Sequence, residues 1–295
     1  MNRRTFFLSS ATAVSGASAI RASQARGGMR LGVITSIGKD PDAGIRRVKT
    51  LGFPTCQVYV ATLDQPTAKA LRAALDRYGI EATSIIAGGP GPETYDFYNG
   101  PITIGLVPRQ YRAARIARVK QTSDFAKWCG IPAVQTHCGF IPENPNDPLY
   151  QEAVAAIRDV AQYCHNQRQN FRCETGQETP ITLLRTIRDV NVETLGVNLD
   201  GANLLMYGKA DPVEAVPVLG PYIQGVHAKD GLYPTDPKAL GREVPIGQGK
   251  VNFPVFIKKL KEAGYHGPLT IEREIEGEGQ TRDILASKAF LEKLI

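Results

Sequence analysis

The 295-residue sequence lacks the features that would support a disulfide framework or a membrane span. Its five cysteines are odd in number and form no Cys-x-x-Cys pair, so we predict no structural disulfide. The apolar run near the N-terminus is short and rich in Ser, Thr, Gly and Ala, and no later stretch is long enough to cross a bilayer. The sequence therefore predicts no stable membrane insertion.

The excess of positive charge is confined to the N-terminus. The chain carries 35 Lys and Arg against 29 Asp and Glu, a formal charge of +6. Residues 1–28 hold four arginines and no acid, so the remainder has 31 basic against 29 acidic residues, a charge of +2. So small a charge gives no electrostatic reason to bind nucleic acid, and we predict no such partner.

Residues 1–28 resemble a twin-arginine export signal. Two arginines precede Phe-Phe-Leu, and a weakly hydrophobic run without acids follows. We predict a signal or disordered segment here, and a periplasmic or exported protein. The alternative is a cytoplasmic protein whose true start is Met29, directly before the first predicted strand. The cleavage site, after Ala19 or Ala25, stays open.

Residues 29–295 alternate short apolar runs with segments of helical periodicity. Eight such strand–helix units predict a single-domain α/β fold, the (β/α)8 TIM barrel. The competing open, doubly wound sheet usually has a Gly-rich first turn, and Thr35-Ser-Ile-Gly-Lys-Asp has none. Among the helix starts, Thr179-Pro180 is predicted to open one helix and Asn252 to cap another.

The segment 88–110 is too long for an ordinary connection and carries Tyr95, Phe97 and Tyr98. It is predicted to be either a lid over a binding site or a surface loop with its aromatic rings packed down.

Four successive predicted strands end in a potential metal ligand, namely Glu174, Asp200, His227 and Glu272. The carboxyl ends of neighbouring barrel strands meet at one rim, so these side chains are expected to converge. Three carboxylates at one point repel each other strongly unless a cation lies between them. One imidazole among oxygens favours a single divalent ion such as Mn, Co, Zn or Mg. Glu274 competes with Glu272 as the last ligand, and we prefer Glu272.

The segments around these residues resemble the xylose isomerase-like TIM barrel superfamily, and within it the sugar phosphate isomerase/epimerase branch. The resemblance covers most of residues 29–295 and rests on five segments: Glu174-Thr-Gly-Gln-Glu178, Asn198-Leu-Asp200-Gly-Ala-Asn203, Val226-His-Ala-Lys-Asp230, Pro245-Ile-Gly-Gln-Gly249 and Leu269-Thr-Ile-Glu272.

This resemblance implies a metal-dependent sugar isomerase or epimerase. Such an enzyme abstracts a proton next to a carbonyl and passes through an enediolate stabilised by the metal. Glu174 and Glu272 would be the catalytic bases, while Asp200 and His227 would mainly hold the ion. A small-molecule sugar partner is implied, and a homodimer is possible.

Five further residues are candidates for substrate binding: His137, Glu178, Asn203, Lys229 and Arg242. Each also has a structural alternative, such as a packed histidine or a solvated lysine or arginine. Asn203 stands where some epimerases of the group carry His, so we infer no particular ketose.

Other functions remain open at this point. The same metal and bases would serve a 3-keto-glycoside lyase or hydratase, and a non-catalytic sugar-binding protein could use the same barrel. The endonuclease branch of the superfamily needs a trinuclear zinc cluster with many histidines, whereas this chain has four.

Overall fold

The computed structural model describes residues 28–295, so the signal predicted for residues 1–28 lies outside the described residues apart from Gly28. Ten strands are assigned in this part: β1 (Arg30–Ile37), β2 (Thr55–Val60), β3 (Glu81–Ile86), β4 (Ala133–His137), β5 (Asn170–Glu174), β6 (Leu195–Asp200), β7 (Ile223–Ala228), β8 (Asp230–Gly231), β9 (Glu243–Val244) and β10 (Pro268–Ile271).

Eight of these strands close into a parallel barrel with the order β1-β10-β7-β6-β5-β4-β3-β2. The other two, β8 and β9, form a small antiparallel pair in the loop after β7. The predicted single-domain (β/α)8 barrel is therefore confirmed.

Helices connect the strands of the barrel. Within residues 28–295 they are α1 (Pro41–Thr50), α2 (Gln65–Tyr78), α3 (Gly100–Thr103), α4 (Arg109–Cys129), α5 (Pro148–Asn166), α6 (Pro180–Val190), α7 (Gly201–Met206), α8 (Pro212–Leu219), α9 (Phe253–Glu262) and α10 (Glu278–Leu291). In this part of the chain none of the helices has the length and hydropathy needed to traverse a bilayer.

Capping residues fix several helix starts as the sequence predicts. The Thr179 hydroxyl accepts a hydrogen bond from the Thr182 backbone N–H at 3.3 Å, and Pro180 occupies the first helical position. The prediction that Asn252 caps a helix is correct in position but wrong about the capping hydrogen bond. Asn252 precedes α9 but has a left-handed backbone, with φ of 56°, and its side chain makes no capping bond.

The barrel interior directly below the rim is polar. TIM barrels are usually filled there by bulky branched side chains. In this protein Gln57 on β2 donates to Asn198 Oδ1 on β6 at 3.3 Å, and Gln135 on β4 donates to Gln57 Oε1 at 3.0 Å. Because these strands are not neighbours, both hydrogen bonds cross the barrel interior. The Gln57, Gln135 and Asn198 side chains therefore form a polar layer that supports the residues at the rim.

The five cysteines are free and buried. The Sγ atoms of Cys138 and Cys173 are 3.1 Å apart. Burial raises the pKa of the Cys56 and Cys129 thiols to about 12, so these side chains behave as small apolar groups.

Candidate active site

Four residues predicted to bind a metal lie together at the carboxyl-terminal rim of the barrel. Glu174 ends β5, Asp200 ends β6, His227 lies in β7 and Glu272 follows β10. One ligand atom from each lies within 4.8 Å of the others, and all four residues are buried. Asp200 on β6 is the register partner of His227 on β7, so these two side chains lie at the same level along the barrel axis.

Mutual charge sets the ionisation of this cluster of Glu174, Asp200, His227 and Glu272. Burial alone would raise the pKa of Glu174, but the positive charges of His227 and His137 outweigh it and leave the pKa below its usual value. Burial likewise opposes ionisation of Glu272, yet Lys229 and His227 hold its pKa well below normal. Both glutamates are therefore carboxylates at neutral pH.

The two ring nitrogens of His227 have different surroundings. Nε2 lies 2.7 Å from Gln57 Oε1, which accepts a hydrogen bond from an Nε2–H. Nδ1 lies 3.0 Å from Glu174, 3.2 Å from Glu272 and 3.6 Å from Asp200, but makes no well-aligned hydrogen bond. Burial opposes the charged form of His227, but Glu174 and Glu272 outweigh it and hold its pKa well above the usual value, so without an ion Nδ1 carries a proton toward the carboxylates. A bound cation would displace that proton and leave the Nε2–H on Gln57.

This donor set fits a divalent cation. The unpaired atoms are His227 Nδ1 and Asp200 Oδ2, both buried, and a ligand ion would satisfy each of them. Three carboxylates with one imidazole suit Mg, Mn, Co or Zn, and the set contains no thiolate. Glu174, Asp200, His227 and Glu272 are therefore the residues that would hold the ion.

Lys229 is buried at the edge of the cluster. Its Nζ donates to Glu272 Oε2 at 3.0 Å and to Glu274 Oε1 at 2.8 Å, and it lies 3.6 Å from Asp200 Oδ2. The surface-lysine alternative is thereby excluded. Glu274 pairs with Lys229 from the outside and is 58% exposed at its side chain, so it does not belong to the cluster.

His137 and the long loop close another side of the site. His137 Nε2 lies 3.5 Å from Glu174 Oε1, and the Tyr95 ring packs edge-on against the His137 ring at 5.7 Å. Tyr95 itself is 51% exposed. The aromatic loop thus contacts the rim of the barrel at His137.

A buried arginine fixes this loop. The Arg115 guanidinium donates to the backbone oxygens of Gly105, Pro92 and Pro90 at 2.7, 2.9 and 3.2 Å. Arg115 is only 2% exposed, so the loop is tied to α4 from beneath.

The remaining predicted residues have unequal positions. Glu178 is buried, both of its carboxylate oxygens lack a hydrogen-bond partner, and burial raises its pKa to about 8. Asn203 is buried beside the cluster, where its backbone N–H is capped by Asp200 Oδ1 at 2.8 Å and its amide donates to Thr175 O at 3.3 Å. Arg242 is exposed.

Sequence reasoning missed Gln57, Gln135 and Tyr59. Tyr59 lies two residues after Gln57 on the same face of β2 and is 39% exposed. Desolvation raises the pKa of its hydroxyl, with smaller contributions from Glu174 and Glu272. The signal was available, because Thr55, Gln57 and Tyr59 alternate with apolar residues along β2. A strand with one polar face in a barrel indicates a polar interior.

Known proteins resemble this chain over most of its length. The xylose isomerase domain protein from Planctomyces limnophilus is 38% identical with a TM-score of 0.85, covering 90% of this chain and 97% of its own. A 3-keto-D-glucoside 4-epimerase from E. coli is 15% identical with a TM-score of 0.66, covering 90% and 99%. A xylose isomerase-like protein from Mycobacterium smegmatis, in complex with magnesium, is 20% identical with a TM-score of 0.65, covering 86% and 87%.

A relative among curated proteins is an uncharacterized protein of Methanocaldococcus jannaschii, 28% identical over 174 residues. That match covers 55% of this chain and 56% of the relative, so the chain spans about half the length of this relative. The profile of one family, described as the xylose isomerase-like TIM barrel, matches residues 45–294. Together with the closed barrel and the 38% identical structure, this match places the chain in the xylose isomerase-like TIM barrel family.

Proposed function

We propose that this protein is a divalent-metal-dependent sugar isomerase or epimerase. The observation that carries the proposal is the convergence of Glu174, Asp200, His227 and Glu272 within 4.8 Å, with His227 Nδ1 left without a hydrogen bond. The sugar-epimerase and magnesium-bound structures of the same fold support it. The proposal includes the dependence on a metal, the identity of the catalytic bases and a sugar as the substrate.

Glu174 and Glu272 are the proton-transfer groups. Glu174 ends β5 and Glu272 follows β10, and these strands flank β6 and β7 in the barrel, so the two carboxylates lie at opposite ends of the cluster. Both have pKa values below normal, which keeps them as carboxylates that accept a proton at neutral pH. When bound, the divalent ion would supply Lewis-acid polarisation of the sugar carbonyl.

Both reactions begin with the removal of one proton from carbon. One carboxylate takes the proton from the carbon next to the carbonyl, and the C–H electrons move onto the carbonyl oxygen to give an enediolate. Epimerisation follows when the other carboxylate returns a proton to the same carbon from the opposite face. Isomerisation follows when the proton is delivered to the former carbonyl carbon and the neighbouring hydroxyl passes its proton to the former carbonyl oxygen, so that the carbonyl re-forms on the neighbouring carbon. The Lys229 ammonium, beside Glu272 and Asp200, places positive charge near the oxygen that becomes negative.

Exchange of the substrate proton with solvent tests this proposal without knowledge of the product. Purified protein reconstituted with Mn²⁺, Co²⁺, Zn²⁺ or Mg²⁺ is incubated with free ketoses in D2O, and loss of the proton signal next to the carbonyl is followed by NMR. We expect metal-dependent exchange in the wild type and at least a hundredfold slower exchange in Glu174→Gln and Glu272→Gln.

Glu276→Gln is the matched control, because Glu276 is exposed on the loop that follows Glu272. It should exchange at the wild-type rate. Wild-type protein that binds no divalent ion after reconstitution, or exchange that persists unchanged in Glu174→Gln, contradicts the proposal.

A lyase acting on 3-keto-glycosides is the second candidate, and one observation favours it. An open cavity of about 750 Å³ lies beside Tyr59 at the ends of β1, β2 and β3. Its walls include small or apolar residues, such as Ala61, Gly88 and Ala117, which leave room for a group attached to the sugar. A free monosaccharide needs no such space.

In the lyase reaction a carboxylate takes the proton from C2, next to the C3 carbonyl. The C2–H electrons form the C1–C2 double bond, and the C1–O bond breaks with its electrons on the glycosidic oxygen, which is protonated to a free alcohol. Release of a chromogenic alcohol from an aryl 3-keto-glucoside measures this reaction. Ala117→Leu, which fills the cavity, should slow it while leaving proton exchange of free ketoses unchanged.

A further inference from the structure

Three buried side chains beside the metal cluster carry polar atoms with no partner. Gln177 and Glu178 lie in the loop between β5 and α6, and Tyr207 follows α7. They are 1%, 2% and 4% exposed. Both amide atoms of Gln177, both carboxylate oxygens of Glu178 and the Tyr207 hydroxyl have no hydrogen-bond partner within the protein. Buried polar atoms are normally paired, so five in one place require an explanation.

These side chains lie next to each other and within reach of the cluster. A Cβ placed on Gly176 would lie 3.6 Å from the Tyr207 ring, so this ring packs directly on the loop after β5. Burial raises the pKa of Tyr207 to about 12, and the nearby Gln177 amide opposes that rise, although the two groups are not aligned for a hydrogen bond. The charge of Glu174 adds slightly to the raised pKa of Glu178.

Aromatic rings extend this group toward solvent. Phe97 from the long loop and Phe140 pack edge-on against Tyr207, at ring distances of 6.4 and 5.7 Å. A cavity of about 520 Å³ opens on the outer side, lined by Tyr207, Phe97 and Tyr233 among others. Apolar ring faces around a few polar atoms are typical of sites that bind small ligands.

We propose that Gln177, Glu178 and Tyr207 form a hydroxyl-binding subsite that holds the part of a neutral sugar remote from its carbonyl. The inference rests on the proposed function and adds the substrate class to it. Sugar hydroxyls both donate and accept, and the subsite offers amide and hydroxyl donors together with carboxyl and amide acceptors. A phosphate group is a dianion with only acceptor oxygens at full ionisation, and none of the three side chains carries a positive charge to balance it.

The test uses binding rather than turnover. Full-length protein loaded with Mn²⁺ is titrated with the D-ketohexoses and with D-fructose 6-phosphate, and the dissociation constants are measured by calorimetry. We expect the wild type to bind at least one neutral ketohexose more tightly than the phosphate. Tyr207→Phe and Gln177→Met should each weaken that binding about tenfold, the loss of one to two hydrogen bonds.

Thermal stability separates this role from a structural one. Tyr207→Phe removes a buried hydroxyl that has no partner, so the melting temperature should stay the same or rise. Tyr150→Phe is the matched control. The Tyr150 side chain is buried away from the cluster, and its hydroxyl donates to Asp189 Oδ2 at a distance of 2.5 Å. That variant should lose stability and keep the wild-type affinity for sugar.

The outcomes are distinct. Lower stability of Tyr207→Phe with unchanged sugar affinity means that the hydroxyl is structural, and it overturns the subsite. Tighter binding of the phosphate, or no binding of any neutral ketohexose by the wild type, also overturns it. Sugar that binds through these residues but exchanges no proton in D2O refutes the isomerase reaction and leaves the subsite standing.

Discussion

The substitution Gln57→Leu tests how the barrel interior prepares His227 for a metal. Gln57 Oε1 accepts from His227 Nε2 at 2.7 Å and from Gln135 Nε2 at 3.0 Å. Without Gln57, the Gln135 amide, 3.1 Å from His227 Nε2, can donate to that nitrogen instead. An ion that binds His227 displaces the proton on Nδ1, and the remaining proton must stay on Nε2. Without the Gln57 acceptor this arrangement is disfavoured, so the affinity for a cation falls.

Loss of such a supporting hydrogen bond weakens metal binding by about 10- to 100-fold, which corresponds to about 1.4–2.7 kcal/mol. Calorimetric titration of the apoprotein with Mn²⁺ measures it, and ¹⁵N NMR of the imidazole in Zn²⁺-loaded protein reports which nitrogen keeps its proton. Gln57→Glu keeps an acceptor oxygen at this position and should keep the Nε2–H tautomer.

Gln169→Leu is the matched control. Gln169 is also a buried glutamine, but it bonds Ser123 outside the barrel interior, with contacts of 2.5 and 3.0 Å. Both leucine variants should lose about 1–3 kcal/mol of stability from unpaired buried groups. Mn²⁺ affinity within twofold of the wild type in Gln57→Leu, or an unchanged tautomer, refutes the reasoning.

Three further predictions concern the loop, one carboxyl group and the thiols. Arg115→Met should loosen the segment 88–108, because three backbone carbonyls lose their donor, and limited proteolysis should cut there faster than in the wild type; equal cleavage rates contradict it. The pKa of Glu178 is raised to about 8, so the folded state holds its proton from about pH 4.5 to 8 and loses stability as the pH rises. The free energy of unfolding of Glu178→Gln, measured by chemical denaturation, should therefore increase relative to that of the wild type between pH 5 and pH 8, by up to about 4 kcal/mol. A difference that does not depend on pH contradicts this prediction. All five cysteines are buried, so an aromatic disulfide reagent should titrate them only after unfolding, and rapid labelling of the native protein would count against the described packing.

The barrel and the ligand group could be predicted because both follow from local patterns. Alternation of apolar runs with helical periodicity gives the strand–helix repeat, and the fold then brings the ends of neighbouring strands to one rim. Position at a strand end was therefore enough to group Glu174, Asp200, His227 and Glu272. It was also enough to prefer Glu272 to Glu274, which shares its face but lies one step further into the loop.

Contacts across the barrel and within its loops could not be predicted in this way. Gln57, Gln135 and Asn198 are far apart in sequence, and their hydrogen bonds depend on which strands face each other across the interior. Arg242 was predicted from the sequence to bind substrate together with the other site residues, but it lies exposed on its loop.

The amino-acid sequence by itself determined the fold class and the residue types at the rim, since periodicity and strand-end position are local properties of the chain. Only the tertiary structure decided which nitrogen of His227 faces the carboxylates, that Lys229 is buried against Glu272, and that Gln177, Glu178 and Tyr207 share one place. Distance, burial and hydrogen-bond direction depend on residues that meet only when the barrel closes, so they are fixed by packing rather than by sequence spacing.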